Sequence, residues 1–398
     1  AAAAAGTSAG AGDDAEPAVD AAETKAAEPP APSIVPHAAV SDADWPVVPD
    51  TVDVSGRAAK FEAFNLRIVY EAGRTGFEEL KDFQAPVGSV IAGRYYVRDF
   101  LGSAAFSSAL SCEDLVTGQD VCLKVIKNSK DYTDQSLDEI KLLRYINSMG
   151  NTDEHHVLRM HEYFYHKEHL IIVTELLKDN LYEFQKYLAD ADEPPYFTLP
   201  RLQRIAKQVL QSLVFIHGLG LIHCDLKPEN ILIKSYSRCE VKVIDFGSSC
   251  YLTDHLSSYI QSRSYRAPEV ILGLPYGPKI DVWSFGCILA ELLTGRVLFQ
   301  SDSIQAMLAR MVGVIGKFPS HMLAKGRDVP KFFNAKGVVF ERTEDGSGFV
   351  LLQPKRSSLT ARLKCTDAGF ISFVESLLSL DPDKRPTAAD ALEHPWLQ

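Results

Sequence analysis

The chain is predicted to be an α+β protein of two lobes, a small β-rich lobe followed by a larger helical one. Three observations predict this. Strand-like patterns around Lys124 and at 170–173 mark the segment expected as the small lobe, 94–178, helices dominate after Asn180 in the segment expected as the large lobe, 179–397, and 46% of the 398 residues are apolar, enough to bury one bilobal unit or two ordinary domains. Strands first and helices afterwards is the α+β order.

Residues 1–45 are read as a disordered tail. Sixteen of the first 40 residues are Ala, Pro17, Pro29, Pro30 and Pro32 interrupt them, and no Phe, Trp or Tyr precedes Trp45, so the stretch cannot repay its ordering entropy. Residues 46–93 are expected to pack on the small lobe, because Phe64, Leu66, Ile68 and Tyr70 alternate like a strand before Gly73 and Gly76 turn the chain. Within the small lobe Val121, Leu123 and Val125 alternate around Lys124, and 170–173 is an apolar run like a buried strand. Between them 134–149 is expected to be helical, capped by Asp134, with Leu137, Ile140 and Leu143 on its packing face.

After Asn180 helices take over. Pro200 opens one whose Leu202, Ile205, Ala206, Val209, Leu213 and Ile216 keep helical spacing until Gly218 and Gly220. The stretch 280–294 is apolar nearly all round and is expected to cross the core of the larger lobe. An insertion at about 317–358 should hold a loose hairpin, with strands near 338–340 and 349–352 around Asp345 and Gly346.

Lys and Arg number 41 against 52 Asp and Glu, a net charge of −11. A broad electrostatic grip on nucleic acid or an anionic membrane is therefore not expected, and partners should be nucleotides and proteins. The seven cysteines, Cys112, Cys122, Cys224, Cys239, Cys250, Cys287 and Cys365, are odd in number and form no C-x-x-C pair. Free thiols in a reducing compartment follow, with cytoplasm expected and the nucleus as the alternative. No apolar run approaches the roughly 18 residues that span a bilayer, and no signal-peptide pattern opens the chain, which starts without Met.

Phosphoryl transfer needs a grip on the triphosphate, metal ligands, a residue that orients the attacking hydroxyl, and a means of aligning them. All four occur here in order. Lys124, in Val121-Cys122-Leu123-Lys124, is placed on a strand to meet the α- and β-phosphates of ATP, and Glu139 on the following helix is placed to hold it. His223-Cys224-Asp225-Leu226-Lys227-Pro228-Glu229-Asn230 follows, with Asp225 as acceptor of the substrate hydroxyl's proton, Lys227 against the γ-phosphate and Asn230 as a ligand of Mg²⁺. Asp245-Phe246-Gly247 supplies the second metal carboxylate, and Ala267-Pro268-Glu269 closes the activation segment. Singly, each has an ordinary reading as a surface charge or a turn; jointly their order, spacing and predicted secondary structure agree on one chemistry.

The phosphate-covering loop departs from G-x-G-x-x-G-x-V. It reads Gly102-Ser103-Ala104-Ala105-Phe106-Ser107-Ser108-Ala109, with only the first glycine kept and Ala109 where valine covers the base. Leu101, Gly102, Ser103, Ala104, Phe106 and Ala109 are the candidates for contact with ATP. Ala104 demands a conventional backbone where glycine would tolerate positive φ, which motivates the alternative of a pseudokinase or scaffolding nucleotide-binding module.

Between 64 and 396 the chain resembles the DYRK family of dual-specificity tyrosine-phosphorylation-regulated kinases of the CMGC group, most closely its green-plant branch. The residues that carry the resemblance are His223-Cys224-Asp225, Lys234-Ser235-Tyr236-Ser237-Arg238-Cys239, Asp245-Phe246-Gly247-Ser248-Ser249-Cys250 and Tyr259-Ile260-Gln261-Ser262-Arg263-Ser264-Tyr265-Arg266. The resemblance implies a bilobal eukaryotic protein kinase fold, use of ATP and Mg²⁺, phosphorylation of Ser and Thr in protein substrates, and autophosphorylation of Tyr259. It also implies a gatekeeper at Thr174, hinge contacts of Glu175 and Leu177 with adenine, and Asn180 near the ribose. Glu183, Glu229 and Glu291 match positions that bind a basic residue upstream of the acceptor; Pro at +1 and a monomeric state are further implications. One departure is Ser257, where many members carry a tyrosine. Because Cys224 stands where other kinases put a phosphate-binding Arg, Arg263 and Arg266 are the expected clasp for phosphorylated Tyr259. Glu269 and Arg385 are expected to form a buried pair, and Asp281 to cap the catalytic loop.

Overall fold

Two runs of sequence with different periods build the two halves of the structure, a computed structural model that describes residues 64–77, 80–254, 257, 259–343 and 348–398. The tail expected at 1–45 lies outside the described residues, as do 46–63. Residues 65–398 form one compact unit.

The strands of the small lobe are β1 (Arg67–Val69), β2 (Val90–Ile91), β3 (Tyr95–Ser103), β4 (Ser107–Asp114), β5 (Gln119–Ile126), β6 (Met160–His166) and β7 (His169–Glu175), with α1 (Lys130–Met149) between β5 and β6. They form one seven-stranded sheet in the order β1-β6-β7-β5-β4-β3-β2. All neighbours are antiparallel except β1 and β6, where Ile68 lies opposite Tyr165. The alternation in β5 sorts its side chains: Val121, Leu123 and Val125 enter the lobe's core with Tyr95, Val97, Leu110 and Phe164, so Cys122 and Lys124 take the opposite face.

The larger lobe contains α2 (Leu181–Asp190), α3 (Leu199–Gly218), α4 (Pro268–Ile271), α5 (Lys279–Thr294), α6 (Ile304–Val314), α7 (Ser320–Lys325), α8 (Leu359–Leu363), α9 (Ala368–Leu377) and α10 (Ala388–Leu392). Three short ladders accompany them: β8 (Leu221–Ile222) with β11 (Cys250–Tyr251), β9 (Ile231–Ser235) with β10 (Glu240–Val243), and β12 (Phe340–Arg342) with β13 (Phe349–Leu351). The axis of the lobe is α5, buried continuously from Ile280 to Leu292 as its all-round apolar sequence requires. Trp283 stacks on Phe299 at 5.6 Å, and α9 approaches so closely that a Cβ at Gly286 would come within 2.9 Å of Leu378. Gly295, at φ +70°, ends α5 in the left-handed region.

Two sequence expectations shift in register. Helix α1 begins at Lys130 with extended Ser129 as its N-cap, four residues before Asp134. Its first turn is polar, so apolar periodicity does not mark it, while Asp131 there complements the helix dipole. In the insertion the first strand is Phe340–Arg342; Val339 instead bridges Phe333, and residues 344–347 of the turn lie outside the described residues.

Candidate active site

The site begins with a lysine turned by strand periodicity onto the cleft face of β5. Lys124 Nζ donates to both carboxylate oxygens of Glu139 on α1, at 2.8 Å each. Glu139 is 5% exposed. Burial opposes the ammonium and also raises Glu139, but the carboxylates of Glu139 and Asp245 both face the one lysine and hold its proton firmly on. The Phe106 ring lies 5.3 Å from the same ammonium, so the loop tip, Lys124 and α1 meet at one point.

Below the sheet, the loop after β8 carries the candidate base. Asp225 Oδ2 accepts from Lys227 Nζ at 2.6 Å, while Oδ1 accepts from the Ser262 backbone N–H at 3.0 Å and its hydroxyl at 2.7 Å. Asn230 Nδ2 donates to the Asp225 carbonyl at 2.9 Å, so its Oδ1 is the atom to consider as a candidate oxygen ligand. Asp281 carries the loop's backbone, accepting from His223 N at 2.9 Å and Cys224 N at 3.1 Å. That support matters because Cys224 sits at φ +65°, a costly conformation for a side chain with a Cβ. The metal candidate Asp245 also has positive φ, +63°.

The activation segment returns over this loop. Asp225, Ser248, Tyr259, Ser262, Arg263 and Arg266 line a cavity of about 490 Å³. Tyr259 is 79% exposed, with the Arg266 guanidinium 4.5 Å from its ring centroid. Arg266 is itself fixed by the loop, its Nε and Nη2 donating to the carbonyls of Ile260 and Gln261 at 2.8 Å. Arg263 donates to the Asp302 carbonyl at 3.3 Å. The two arginines expected to share one role are thus held differently, one under the tyrosine ring and one on a neighbouring loop. Tyr265 is packed, its hydroxyl donating to Glu291 Oε2 at 2.7 Å. Arg385 clamps Glu269 at 2.6 and 2.9 Å beneath the segment.

The remaining candidates are spread around the cleft. In the loop joining β3 and β4, Gly102 lies at φ +157°, Ala104 N donates to the Ser107 carbonyl at 2.7 Å, and neither Ala104 nor Ser107 takes positive φ. Ser103 and Ser108 hydroxyls face each other at 3.3 Å, and Leu101 is exposed. Ala109 stands opposite both Gly102 and Lys124 in the ladders. Thr174 Oγ1 donates to the Glu175 carbonyl at 3.2 Å, and Leu177 is buried where the chain leaves β7. Asn180 has a local task, since its Oδ1 caps α2 by accepting from Glu183 N at 2.8 Å. Glu183 is exposed, Glu229 has one buried carboxylate oxygen without a partner among the described residues, and burial lifts Glu291 to about 7.

Sequence reasoning assigned no role to Ser262 or Gln261, which organise the segment. Gln261, at φ +65°, donates to Ser284 Oγ at 2.8 Å and accepts from Ala267 N at 2.8 Å. Their signal in the sequence was membership of the Tyr259 to Arg266 motif that carries the resemblance. Fit to a hard metal ion rests on the donor set: an amide oxygen of Asn230 and the carboxylate of Asp245 are oxygen ligands of the kind magnesium takes.

The Lys124–Glu139 pair, the candidate base Asp225 and the candidate metal ligands Asn230 and Asp245 make up the set of groups that phosphoryl transfer needs. The protein kinase domain family matches residues 95–397, and the chain belongs to the protein kinase family. It is 40% identical over 323 residues to the DYRK-family kinase pom1 of Schizosaccharomyces pombe, covering 81% of this chain and 29% of that protein. It is 39% identical over 322 residues to human dual specificity tyrosine-phosphorylation-regulated kinase 3, covering 77% of this chain and 54% of the relative. A third relative, serine/threonine-protein kinase ppk5 of Schizosaccharomyces pombe, is 37% identical over 318 residues, with 79% and 37% covered. The first two names bear out the DYRK resemblance, although the chain spans only about a third to a half of the length of these relatives. Protein kinase domains in general use ATP and Mg²⁺ and act on protein substrates.

Proposed function

We propose that this chain is a dual-specificity protein kinase that transfers the γ-phosphate of ATP to Ser and Thr of other proteins and phosphorylates its own Tyr259. The observation that carries the reading is the closed pair of Lys124 and Glu139, with both carboxylate oxygens on the ammonium at 2.8 Å. That pair must be in place for catalysis in this fold, and a nucleotide-binding scaffold would have no need of it.

Lys124 would grip the α- and β-phosphates, and Glu139 fixes its direction. Asp225 would orient the acceptor hydroxyl and take its proton. Ser262, with two donors on Oδ1, keeps that carboxylate from rotating. Lys227 sits 2.6 Å from Oδ2, near enough to place positive charge beside the transferring phosphoryl group. Magnesium, when bound, would neutralise phosphate charge, and Asn230 and Asp245 are the residues that would hold it. Glu183, Glu229 and Glu291 would favour a basic residue upstream of the acceptor; the buried Glu229 oxygen that has no partner among the described residues supports this. A proline at +1 and a monomeric enzyme complete the proposal.

The test is Asp225→Asn. Asparagine keeps the shape and cannot accept the proton, so ADP affinity should hold while turnover on a basic Ser/Thr peptide falls about 10²–10⁴-fold. Turnover within twofold of wild type would remove Asp225 from the mechanism.

A further inference from the structure

A buried lysine that the mechanism does not use links the hinge to the metal strand. Lys242 lies on β10, three residues before Asp245, and its side chain is 1% exposed. Its ammonium donates to Glu175 Oε1 at 2.5 Å and pairs with Asp153 Oδ1 at 2.7 Å. Two more cations complete the network: Lys234 Nζ reaches Asp153 Oδ1 at 2.6 Å and Arg159 Nη2 reaches Asp153 Oδ2 at 2.8 Å. Glu175 Oε1 also accepts the Arg159 backbone N–H at 2.8 Å, while Glu175 N donates to the Arg159 carbonyl at 3.1 Å. Backbone bonds tie the same pieces together, with Val243 N to the His156 carbonyl at 2.8 Å and Leu158 N to the Val243 carbonyl at 3.0 Å.

A buried ammonium is expensive unless paired, and an apolar residue would fill this place at less cost. Its presence therefore calls for a geometric reason. Glu175 is the last residue of β7, in the small lobe, and its backbone is the candidate contact for adenine. Lys242 belongs to the strand that delivers Asp245 to the phosphates. One short ion pair thus joins the element that meets the base to the element that meets the metal.

We propose that Lys242 is a positioning residue for the nucleotide, a strut that sets the height of the Glu175 hinge above the Asp245 strand so that base and phosphates are engaged together. The inference rests on the kinase reading above. It predicts a loss confined to nucleotide binding, because the peptide acids Glu183, Glu229 and Glu291 lie outside the network.

Three variants decide it, each measured by calorimetry with Mg·ADP, by steady-state kinetics and by thermal melting. Lys242→Met should weaken ADP binding and raise KM for ATP about tenfold, leaving KM for peptide and kcat within about twofold, and should lower Tm because Glu175 and Asp153 lose their buried partner. Glu175→Gln should weaken ADP binding less. The pair Lys242→Met with Glu175→Gln removes the unpaired hinge charge, so Tm should recover by more than half while ADP binding stays at least fivefold weak. Recovery of affinity together with Tm would make Lys242 a stabilising residue only and overturn the proposal, as would equal rises in both KM values. A wild-type chain that fails to bind ADP at all would instead sink the kinase reading itself. If Lys242→Met does not fold, the double variant alone still decides.

Discussion

Glu291 should make recognition of basic substrates depend on pH near neutrality. Its side chain is 4% exposed at the end of α5, and burial raises it from 4.5 to about 7, the repulsion from Glu229 adding to this and the Tyr265 hydroxyl partly offsetting it. The displacement corresponds to roughly 3 kcal/mol between the protonation states. For a carboxyl raised in the folded state, the folded form binds the proton more tightly, so its stabilising effect is complete below about 4.5 and is lost as pH rises through about 7. The charge needed to attract an arginine develops over the same interval. At pH 6 on the order of a tenth of the molecules carry it and at pH 8 about nine tenths, so the advantage of an arginine-bearing peptide over an alanine-bearing one should grow by up to about tenfold. Initial rates on the two peptides between pH 6 and 8 give this ratio directly, and taking the ratio cancels titration of the catalytic groups. In Glu291→Gln the ratio should be flat, and the excess stability of wild type over this variant in urea should shrink as pH rises from 5 to 8. A ratio that does not change with pH in wild type would refute the argument.

Lys124→Arg should reduce turnover by about 10² or more, since a planar guanidinium cannot reproduce an ammonium held by both oxygens of Glu139 and facing Asp245; a single-turnover assay checks it. Restoring glycines with Ala104→Gly and Ser107→Gly should change ADP affinity by no more than about threefold and lower Tm slightly, because neither position takes positive φ and glycine adds only backbone entropy to lose.

Lys124, Asp225, Asn230 and Asp245 could be picked out as candidates because each sits in a short motif whose spacing suggests its chemistry, and the alternation of Val121, Leu123 and Val125 already turned Lys124 out of the core. The resemblance supplied Tyr259 and the hinge. Long-range relations were not legible. Ser262 holds Asp225 from 37 residues away, and Lys242 meets Glu175 across 67; neither serine nor lysine in a strand-rich stretch signals such a partner. Strand β1 was readable from the alternation at Ile68, but its parallel partner β6, about a hundred residues on, could not be inferred from either segment alone. Asn180 shows the converse, since a local cap, readable from its place before Leu181, occupies the oxygen that family resemblance would offer to the ribose.

The two arginines near Tyr259 should not be equivalent. A phosphate there brings a charge near −2, and each charge-assisted bond contributes about 1.5–3 kcal/mol, with the lower end apt at so exposed a site. Ordering a loop costs about 1–2 kcal/mol per residue, so one or two such bonds cannot hold the segment; they lock a loop that Gln261, Tyr265 and Arg266 have already formed. Arg266 belongs to that frame, with two of its nitrogens on loop carbonyls and its guanidinium carbon 4.5 Å from the tyrosine ring centroid. Among the described residues Arg263 has a single bond to give up, at 3.3 Å to the Asp302 carbonyl, and can turn to the phosphate. Arg266→Ala should therefore lower Tm by several degrees even in unphosphorylated protein, whereas Arg263→Ala should lower it only when Tyr259 is phosphorylated. Tyr259→Phe keeps the ring over Arg266 and loses the phosphate, so it should match Arg263→Ala in stability and fall below wild type in turnover. Protein made alone in bacteria, with Asp225→Asn as the inactive control, allows mass spectrometry to read Tyr259 directly. A fully active preparation with no phosphate on Tyr259 would end this account, and equal effects of the two arginine substitutions in unphosphorylated protein would show that Arg266 is not part of the frame.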